Sequence, residues 1–390
     1  MIKSIIDNDL YKFTMQQAIH ALYPRAEVRY VFINRGQHEF PTGFAERLRD
    51  LIQNMAGRYL SAEELAYLER TCYFLTPVYL DFLRHYRFNP DEVQVKLVEG
   101  ELQIFIEGPW YRTVLWEVPL MAMISELYFE MSGFECLPPE EQHTRNLTKA
   151  VKLSNKRVKF ADFGTRRRYS SDNHRIVLDE MSGIDNSTLI GTSNVYLAKY
   201  FDIKPIGTHA HEWFMFHGAL NGYKLANRTA LRAWSHVYKG NLGIALSDTY
   251  TTDVFLESFD SVMARLFDGV RHDSGDPWEF TQKIIRHYKK LHINPMTKTI
   301  VFSDGLDVDK AIDLQFYCDG KINASFGIGT NLTNDIGPAA LNMVIKLSQC
   351  RKDKDSEWLD TVKLSDVQGK NTGAPEEIEL CIRTLERNKK

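Results

Sequence analysis

An α/β fold, with a barrel-like run of parallel strands joined to a separate α+β part, is predicted by three features of this 390-residue sequence. Between residues 157 and 330, short apolar runs ending in Gly, Ser, Thr or Asp alternate with longer, more polar stretches of helical character. The first ~150 residues instead contain half-buried alternating strands. The last ~50 residues return to that second style.

The apolar runs are Val158-Lys-Phe-Ala-Asp-Phe-Gly-Thr165, Thr188-Leu-Ile-Gly-Thr192, Lys204-Pro-Ile-Gly-Thr208 and Leu242-Gly-Ile-Ala-Leu-Ser-Asp248. Gly269-Val-Arg-His-Asp-Ser274, Thr299-Ile-Val-Phe-Ser-Asp304 and Ile322-Asn-Ala-Ser-Phe-Gly-Ile-Gly329 follow. Near-continuous apolar strands separated by helices imply a parallel sheet covered on both faces. Seven such units in succession favour a barrel over an open sheet, and their polar ends would converge on one mouth. In the first part, Asp9 to Ile19 reads as a helix opened by an Asp cap, and Ser61-Ala-Glu-Glu64 as a capping box. Ala26–Ile33, Val93–Val98 and Glu101–Ile106 read as strands, as do Met343–Leu347 and Thr361–Leu364 near the end; residues 351–360 read as a charged loop. The expected organisation is an α+β domain over 1–150, a barrel-like catalytic domain over 151–340, and a tail over 341–390 that packs back on the first domain.

Composition narrows the function. Hydrophobic residues make up 44% and charged residues 25%, as in ordinary globular enzymes. The 48 basic and 51 acidic residues nearly balance, so no global field draws the chain to nucleic acid or an anionic membrane, and any phosphate binding must be local. Five scattered cysteines (Cys72, Cys136, Cys318, Cys350, Cys381) form no CxxC pair, which argues against both a disulfide framework and a zinc knuckle. With no leader-like or membrane-length apolar run, a cytoplasmic enzyme is expected.

Four motifs carry chemistry. Gly207-Thr-His-Ala-His-Glu-Trp213 lies where the strand read over Tyr200–Ile206 gives way to a helix. His211 is its working candidate, because imidazole gains and loses a proton, or accepts a phosphoryl group, near neutral pH. Arg271-His-Asp-Ser-Gly-Asp-Pro277 crowds Arg271 and Asp273 together; a guanidinium pairs with phosphate or carboxylate, and a carboxylate accepts from sugar hydroxyls or holds Mg²⁺. Phe326-Gly-Ile-Gly-Thr330 offers Gly327, Gly329 and Thr330 as a phosphate cradle, with Ser303 and Gly305 closing its other side. Phe163-Gly-Thr-Arg166 sets an aromatic face beside a cation suited to an anionic substrate, and Ser193 ends the next strand. Tyr11 and Asp7-Asn-Asp9, taken by themselves, are helix-start residues. A metal-dependent hydrolase or lyase using His209 and His211, and a non-catalytic phosphate sensor, are the alternative readings.

Taken in order, these motifs, together with Asp9-Leu-Tyr-Lys-Phe-Thr-Met15 and Lys363-Leu-Ser-Asp366, resemble those of the nicotinate phosphoribosyltransferase family in its bacterial-type branch. The resemblance implies an incomplete α/β barrel plus an α/β sandwich. It implies condensation of nicotinate with phosphoribosyl diphosphate, coupled to ATP hydrolysis through a phosphohistidine that falls on His211, in the service of NAD biosynthesis. Asp273 and Arg271 would then serve the reaction centre, and Arg271, Asp273, Ser303, Gly305, Gly327, Gly329 and Thr330 the phosphoribosyl diphosphate. Nicotinate would lie between Phe163 and the Tyr11 of a partner subunit, with Arg166 and Ser193 on its carboxylate. A homodimer with shared active sites is implied, with ATP as co-substrate and Mg²⁺ held mainly by the diphosphate. Nicotinamide or quinolinate transfer on a similar scaffold is the nearest rival.

Overall fold

The computed structural model describes residues 1–367 and 370–386. Its strands are β1 (Glu27–Asn34), β2 (Val93–Val98), β3 (Glu101–Pro109), β4 (Phe160–Asp162), β5 (Leu189–Thr192), β6 (Ile244–Leu246), β7 (Gly269–His272), β8 (Thr299–Phe302), β9 (Asn323–Ile328), β10 (Met343–Arg351) and β11 (Leu359–Asp360). The chain forms two compact units. One comprises Met1–Pro24, Arg29–Gly207 and Ile328–Lys346; the other comprises Arg25–Val28, Thr208–Gly327 and Leu347–Lys390.

In the first unit, β2 and β3 make an antiparallel hairpin in the register Val93↔Ile106 to Val98↔Glu101. Along β3 the burial alternates strictly up to Ile106, with Leu102, Ile104 and Ile106 turned inward, as period-2 patterning requires. Downstream, β4 and β5 pair in parallel. The helix Ala62–Thr71 starts on the expected capping box, with both reciprocal Ser61–Glu64 bonds formed. The helix Leu10–Leu22 starts at Asp9 as expected, but the Asp9 side chain makes no cap bond. Its carboxylate instead accepts from the Ser193 hydroxyl at 2.8 Å.

In the second unit, β6, β7, β8 and β9 are parallel neighbours in that order, paired Ile244↔Gly269, Gly269↔Thr299 and Thr299↔Asn323 at their starts. Each strand runs into a loop and helix, so their carboxyl ends share one edge. Val270, Ile300 and Phe302 are fully buried, as expected of strands covered on both faces. In the same unit β10 and β11 pair antiparallel, Gln349↔Asp360 and Cys350↔Leu359. Parallel strands with helical connections, joined to antiparallel hairpins, constitute the α/β class that the sequence predicts.

Six of the seven apolar runs contain a strand. The exception is Lys204–Thr208, and with it the strand read over Tyr200–Ile206. A helix, Val195–Phe201, occupies the first part of that stretch, and only Pro205 pairs, as an isolated bridge to Thr192. The bridge is made by the Thr192 N–H to the Lys204 carbonyl at 3.1 Å and the Ile206 N–H to the Thr192 carbonyl at 2.8 Å, and the pairing extends no further. The approach is nevertheless close. A Cβ on Gly191 would lie 2.0 Å from the Lys204 carbonyl oxygen, and Gly191 has φ +150°, so only glycine fits there. The strand read over Thr361–Leu364 also fails to form. The strand lies just before it, at β11, and Lys363 makes a lone antiparallel bridge with Thr372. All five cysteines are free thiols, and no described helix is long and apolar enough to cross a membrane.

Candidate active site

Two buried polar clusters, one in each unit, hold most of the residues singled out in the sequence. In the second unit the cluster is built at the carboxyl ends of β6, β7 and β8, where βα loops collect function. Ser247-Asp-Thr249 follows β6, Asp273 follows β7, and Ser303 follows β8. His211 is the first residue of the helix His211–Asn221.

The His211 ring is held on both edges. Nδ1 lies 3.0 Å from Thr249 Oγ1. Nε2 lies 3.0 Å from Asp273 Oδ2, 3.0 Å from Lys363 Nζ and 3.6 Å from Asp248 Oδ1. Burial, reinforced by the Lys363 ammonium and partly opposed by Asp248 and Asp273, pushes its pKa down to about 4. His211 is therefore a neutral imidazole at physiological pH, with a lone pair available on one nitrogen.

Around the ring the carboxylates are fixed in turn. Arg271 reaches Asp273 Oδ1 through Nη2 at 2.9 Å and Ser303 Oγ through Nε at 2.8 Å; Ser303 Oγ lies 2.7 Å from the same Oδ1. Burial alone would raise the Asp273 pKa, but Arg271 and His211 hold it well below the carboxylate range. Asp248 Oδ2 accepts from Ser274 Oγ at 2.6 Å and lies 3.3 Å from Lys363 Nζ. The Lys363 segment is pinned by Leu364 N–H to the Thr249 carbonyl at 2.8 Å and by Asp366 N–H to Ser274 Oγ at 3.1 Å. Gly305, beyond β8, has φ +55° and open space where a side chain would be, while Gly327 is buried within β9.

His209 has no comparable chemistry. Its ring centroid lies 5.3 Å from that of Phe214 and 4.7 Å from that of Trp234, and its Nε2 accepts from the Leu246 N–H at 3.3 Å. Burial pushes its pKa down to about 3. It is a core residue that braces the start of the helix. The ligand atoms of His211, Asp248 and Asp273 lie within 4.8 Å of one another, a spacing that a metal could use. They do not suit a resident dication, because the Lys363 ammonium already lies against two of the three and would repel a second positive centre.

In the first unit the cluster follows β4 and β5. Phe163 donates its N–H to the Ile328 carbonyl at 2.8 Å. The Gly329 loop presses on the same segment, so that a Cβ there would meet the Phe163 carbonyl oxygen at 3.3 Å. Thr330 begins a four-residue helix whose Thr333 hydroxyl donates to the Gly164 carbonyl at 3.0 Å. A side chain on Gly164 would clash with Thr333 at 2.2 Å. Arg166, on a 3₁₀ turn, extends Nη1 to Glu117 Oε1 at 3.3 Å; the other oxygen of Glu117 lies 2.5 Å from the fully buried Lys12 ammonium. Tyr11 is 9% exposed, and the Lys12 Nζ lies 5.4 Å from its ring centroid. Burial, with Glu117 adding to it, raises the Tyr11 phenol pKa, so the ring remains neutral. The Ser193 hydroxyl, expected at a substrate carboxylate, here donates to Asp9.

Two buried carboxylates hold this loop in shape. Asp162 accepts from Gly164 N–H at 2.8 Å and Thr192 Oγ1 at 2.5 Å, and lies 2.6 Å from His174 Nε2. Asp7 receives Arg168 through two bonds of 3.0 and 3.2 Å and Asn194 at 2.8 Å. Phe163, Arg166, Ser193, Tyr11, Gly329 and Thr330 thus lie in one unit, and His211, Asp273, Arg271, Ser303, Gly305 and Gly327 in the other.

Sequence reasoning gave no role to Lys12, Glu117, Asp248, Thr249 or Lys363. The signals were faint. Asp248 and Thr249 stand at the polar end of the β6 run, as Asp273 does after β7. Lys363 opens the Lys363-Leu-Ser-Asp366 motif. Glu117 is the one acid in the apolar stretch Val114-Leu-Trp-Glu-Val-Pro-Leu120.

The comparisons with known proteins agree along the whole chain. The profile of the nicotinate phosphoribosyltransferase (NAPRTase) family matches residues 158–385, and that of the NAPRTase N-terminal domain matches residues 6–125. A nicotinate phosphoribosyltransferase of Desulforapulum autotrophicum is 59% identical over 99% of this chain and 100% of its own length. One from Chromohalobacter salexigens is 50% identical over 99% and 98%. The crystal structure of nicotinate phosphoribosyltransferase from Porphyromonas gingivalis superimposes with a TM-score of 0.97 at 45% identity, covering 99% of this chain and 100% of that one. On these matches, the chain belongs to the nicotinate phosphoribosyltransferase family.

Proposed function

We propose that this chain joins nicotinate to phosphoribosyl diphosphate, giving nicotinate mononucleotide for NAD biosynthesis and releasing diphosphate, and couples this to ATP hydrolysis through His211. The observation that carries the coupling is the neutral imidazole held between Thr249 on one nitrogen and Asp273 and Lys363 on the other.

Two proton arrangements satisfy this ring. In the first, Nε2–H donates to Asp273 and Nδ1 accepts from the Thr249 hydroxyl. In the second, Nδ1–H donates to Thr249 and the Nε2 lone pair faces Lys363. The second prepares a nucleophile beside a cation. Nε2 attacks the γ-phosphorus of ATP, the bond to the bridging oxygen breaks, and ADP leaves with that electron pair. Lys363 takes up charge from the new phosphoryl oxygens. In the condensation, the nicotinate ring nitrogen bonds to ribose C1 as the C1–O bond to diphosphate breaks. Water then cleaves the P–N bond, releasing phosphate and restoring the neutral imidazole.

Arg271 supplies fixed positive charge near Asp273 for the phosphates, with Ser303, Gly305, Gly327, Gly329 and Thr330 as further phosphate contacts. Asp273 accepts from a ribose hydroxyl. Mg²⁺ arrives as the counter-ion of the polyphosphate substrates, in keeping with the poor fit of a resident ion beside Lys363. Phe163, Tyr11 and Arg166 receive the anionic pyridine. Free thiols throughout suit a reducing, cytoplasmic setting.

His211→Ala is expected to abolish phosphoprotein formation and ATP hydrolysis while leaving a slow, ATP-independent condensation, since C1 chemistry needs diphosphate to leave and not the histidine itself. Incorporation of label from γ-³²P-ATP and product identification by mass check both halves. Unchanged ATPase activity in the variant would remove His211 from the mechanism. Product formed from nicotinamide or quinolinate in preference to nicotinate would replace the substrate.

The assembly is proposed to be a homodimer with shared sites. Mixing inactive Tyr11→Ala and Arg166→Ala chains under proven subunit exchange is expected to restore part of the activity. No rescue would place Tyr11 and Arg166 in the site of one chain.

A further inference from the structure

We infer that Lys12 is a specificity-determining residue: by balancing Glu117, it adds one unit of positive charge to the field beside the Arg166 guanidinium, which favours an anionic ring substituent over a neutral one. The inference rests on the nicotinate reading proposed above and deepens it. It starts from an unusual placement, a lysine side chain with no exposed surface, on the helix Leu10–Leu22, adjacent in sequence to Tyr11.

Taking an ammonium out of water costs several kcal/mol even when it is paired, so a buried lysine calls for a compensating partner. The partner is Glu117, at the start of the helix Glu117–Ser132. Its two oxygens face different cations, Oε2 to Lys12 at 2.5 Å and Oε1 to Arg166 at 3.3 Å. The shorter contact is with the residue that has no solvent. Arg166, by contrast, keeps 35% of its side chain exposed. The three side chains form a contiguous Lys–Glu–Arg triad whose own charges sum to +1. Without Lys12, the same Glu117 would neutralise Arg166 and the triad would carry no net charge.

The neighbouring charges set a background to which the Lys12 ammonium adds. Lys346 adds positive potential at Glu117, and Asp9 adds negative potential near Arg166 and is held by the Ser193 hydroxyl. Asp7 is spent on Arg168 and Asn194, and Asp162 on Gly164, Thr192 and His174. A carboxylate on the pyridine ring gains from the excess charge, whereas a carboxamide of nearly the same shape does not. At the separations of a buried site, one unit of charge decides between them more strongly than a single neutral hydrogen bond does.

The test is a charge-swap cycle on the full-length enzyme, reading the ratio of kcat/KM for nicotinate to that for nicotinamide, with dissociation constants of both from calorimetry. Lys12→Met keeps the length of the side chain and removes the charge; the ratio is expected to fall at least tenfold. Glu117→Gln raises the triad to +2, and the ratio is expected to hold or rise. The double variant Lys12→Met/Glu117→Gln returns the triad to +1 and is expected to recover a ratio near that of the unaltered enzyme. Lost packing alone would lower activity on both substrates and would not be rescued by the second substitution. An unchanged ratio in a folded Lys12→Met chain overturns the inference, as does a double variant that fails to recover. Should Lys12→Met not fold, a lowered ratio in Glu117→Gln overturns it equally. If the unaltered enzyme turns over neither pyridine, the proposed function falls and not this assignment alone.

Discussion

The two buried clusters use the same residue types to opposite ends. In the first unit, Arg168 and Asp7 meet through two parallel bonds with each side chain 1% exposed, and Asn194 fills a further acceptor site on Asp7. Burial pushes the Asp7 pKa up, yet Arg168 and its other donors hold it below the ordinary value. Such a pair has one stable arrangement, and it fixes the loop that carries Phe163 and Arg166. In the second unit, His211 has two satisfactory proton arrangements, and Asp273 is shared among His211, Arg271 and Ser303. In the mechanism proposed above, that region changes its protonation and its covalent state while its frame holds still. The comparison separates a buried charge network that specifies shape from one that carries chemistry.

The largest effect expected from this difference is on stability. Asp7→Ala leaves the Arg168 guanidinium buried and without its carboxylate, and breaking a buried pair in this way costs about 3–5 kcal/mol. Denaturant unfolding should show that loss. The His211→Ala chain should stay much closer to the unaltered protein, because it removes a neutral ring and leaves Asp273 with Arg271 and Asp248 with Lys363. Comparable losses in the two variants would break the distinction.

How much of this was visible in the sequence divides along the same line. The parallel strands β4 to β9 were legible because a strand buried on both faces writes itself as an apolar run, and because polar residues mark its carboxyl end. Asp273, Arg271 and Ser303 were found at those ends, and His211 at the start of a helix after a run that forms no strand. The run containing Pro205 was overread, because apolar content does not say how far pairing with a neighbour extends. Lys12 and Glu117 were hidden for a different reason. Each sits singly on a helix, 105 positions apart in the chain, and a pair created by tertiary packing leaves no local pattern. Lys363 is similar: its short motif is visible, but its partners Asp248 and His211 are more than a hundred residues away. Ser193 was expected to face substrate, and its hydroxyl is turned to Asp9, a residue that reads by itself as a helix cap.

The smaller effect concerns pH and sharpens the comparison at Lys363. In the folded chain the His211 pKa is about 4, below its ordinary 6.5, through burial first and the Lys363 ammonium second, against the opposing pull of Asp248 and Asp273. Lys363→Met removes the second cause and leaves both carboxylates, so His211 should protonate at a higher pH, nearer 6.5. Protonated imidazole has no lone pair for phosphorus. The rate of phosphoprotein formation, compared between pH 6 and pH 8 within each protein, should therefore fall on the acid side in the variant and stay nearly level in the unaltered enzyme. Stability should move the other way. A histidine whose folded pKa lies below its unfolded value withdraws stability as pH falls from about 6.5 towards 4, because the unfolded chain takes up the proton first. Raising the folded pKa narrows that window, so the His211 part of the acid destabilisation should shrink in Lys363→Met. Cation loss from a phosphate-binding surface would reduce the rate at every pH without tilting the profile. A flat rate profile in the variant, with acid unfolding unchanged, would show that Lys363 does not control the proton on His211.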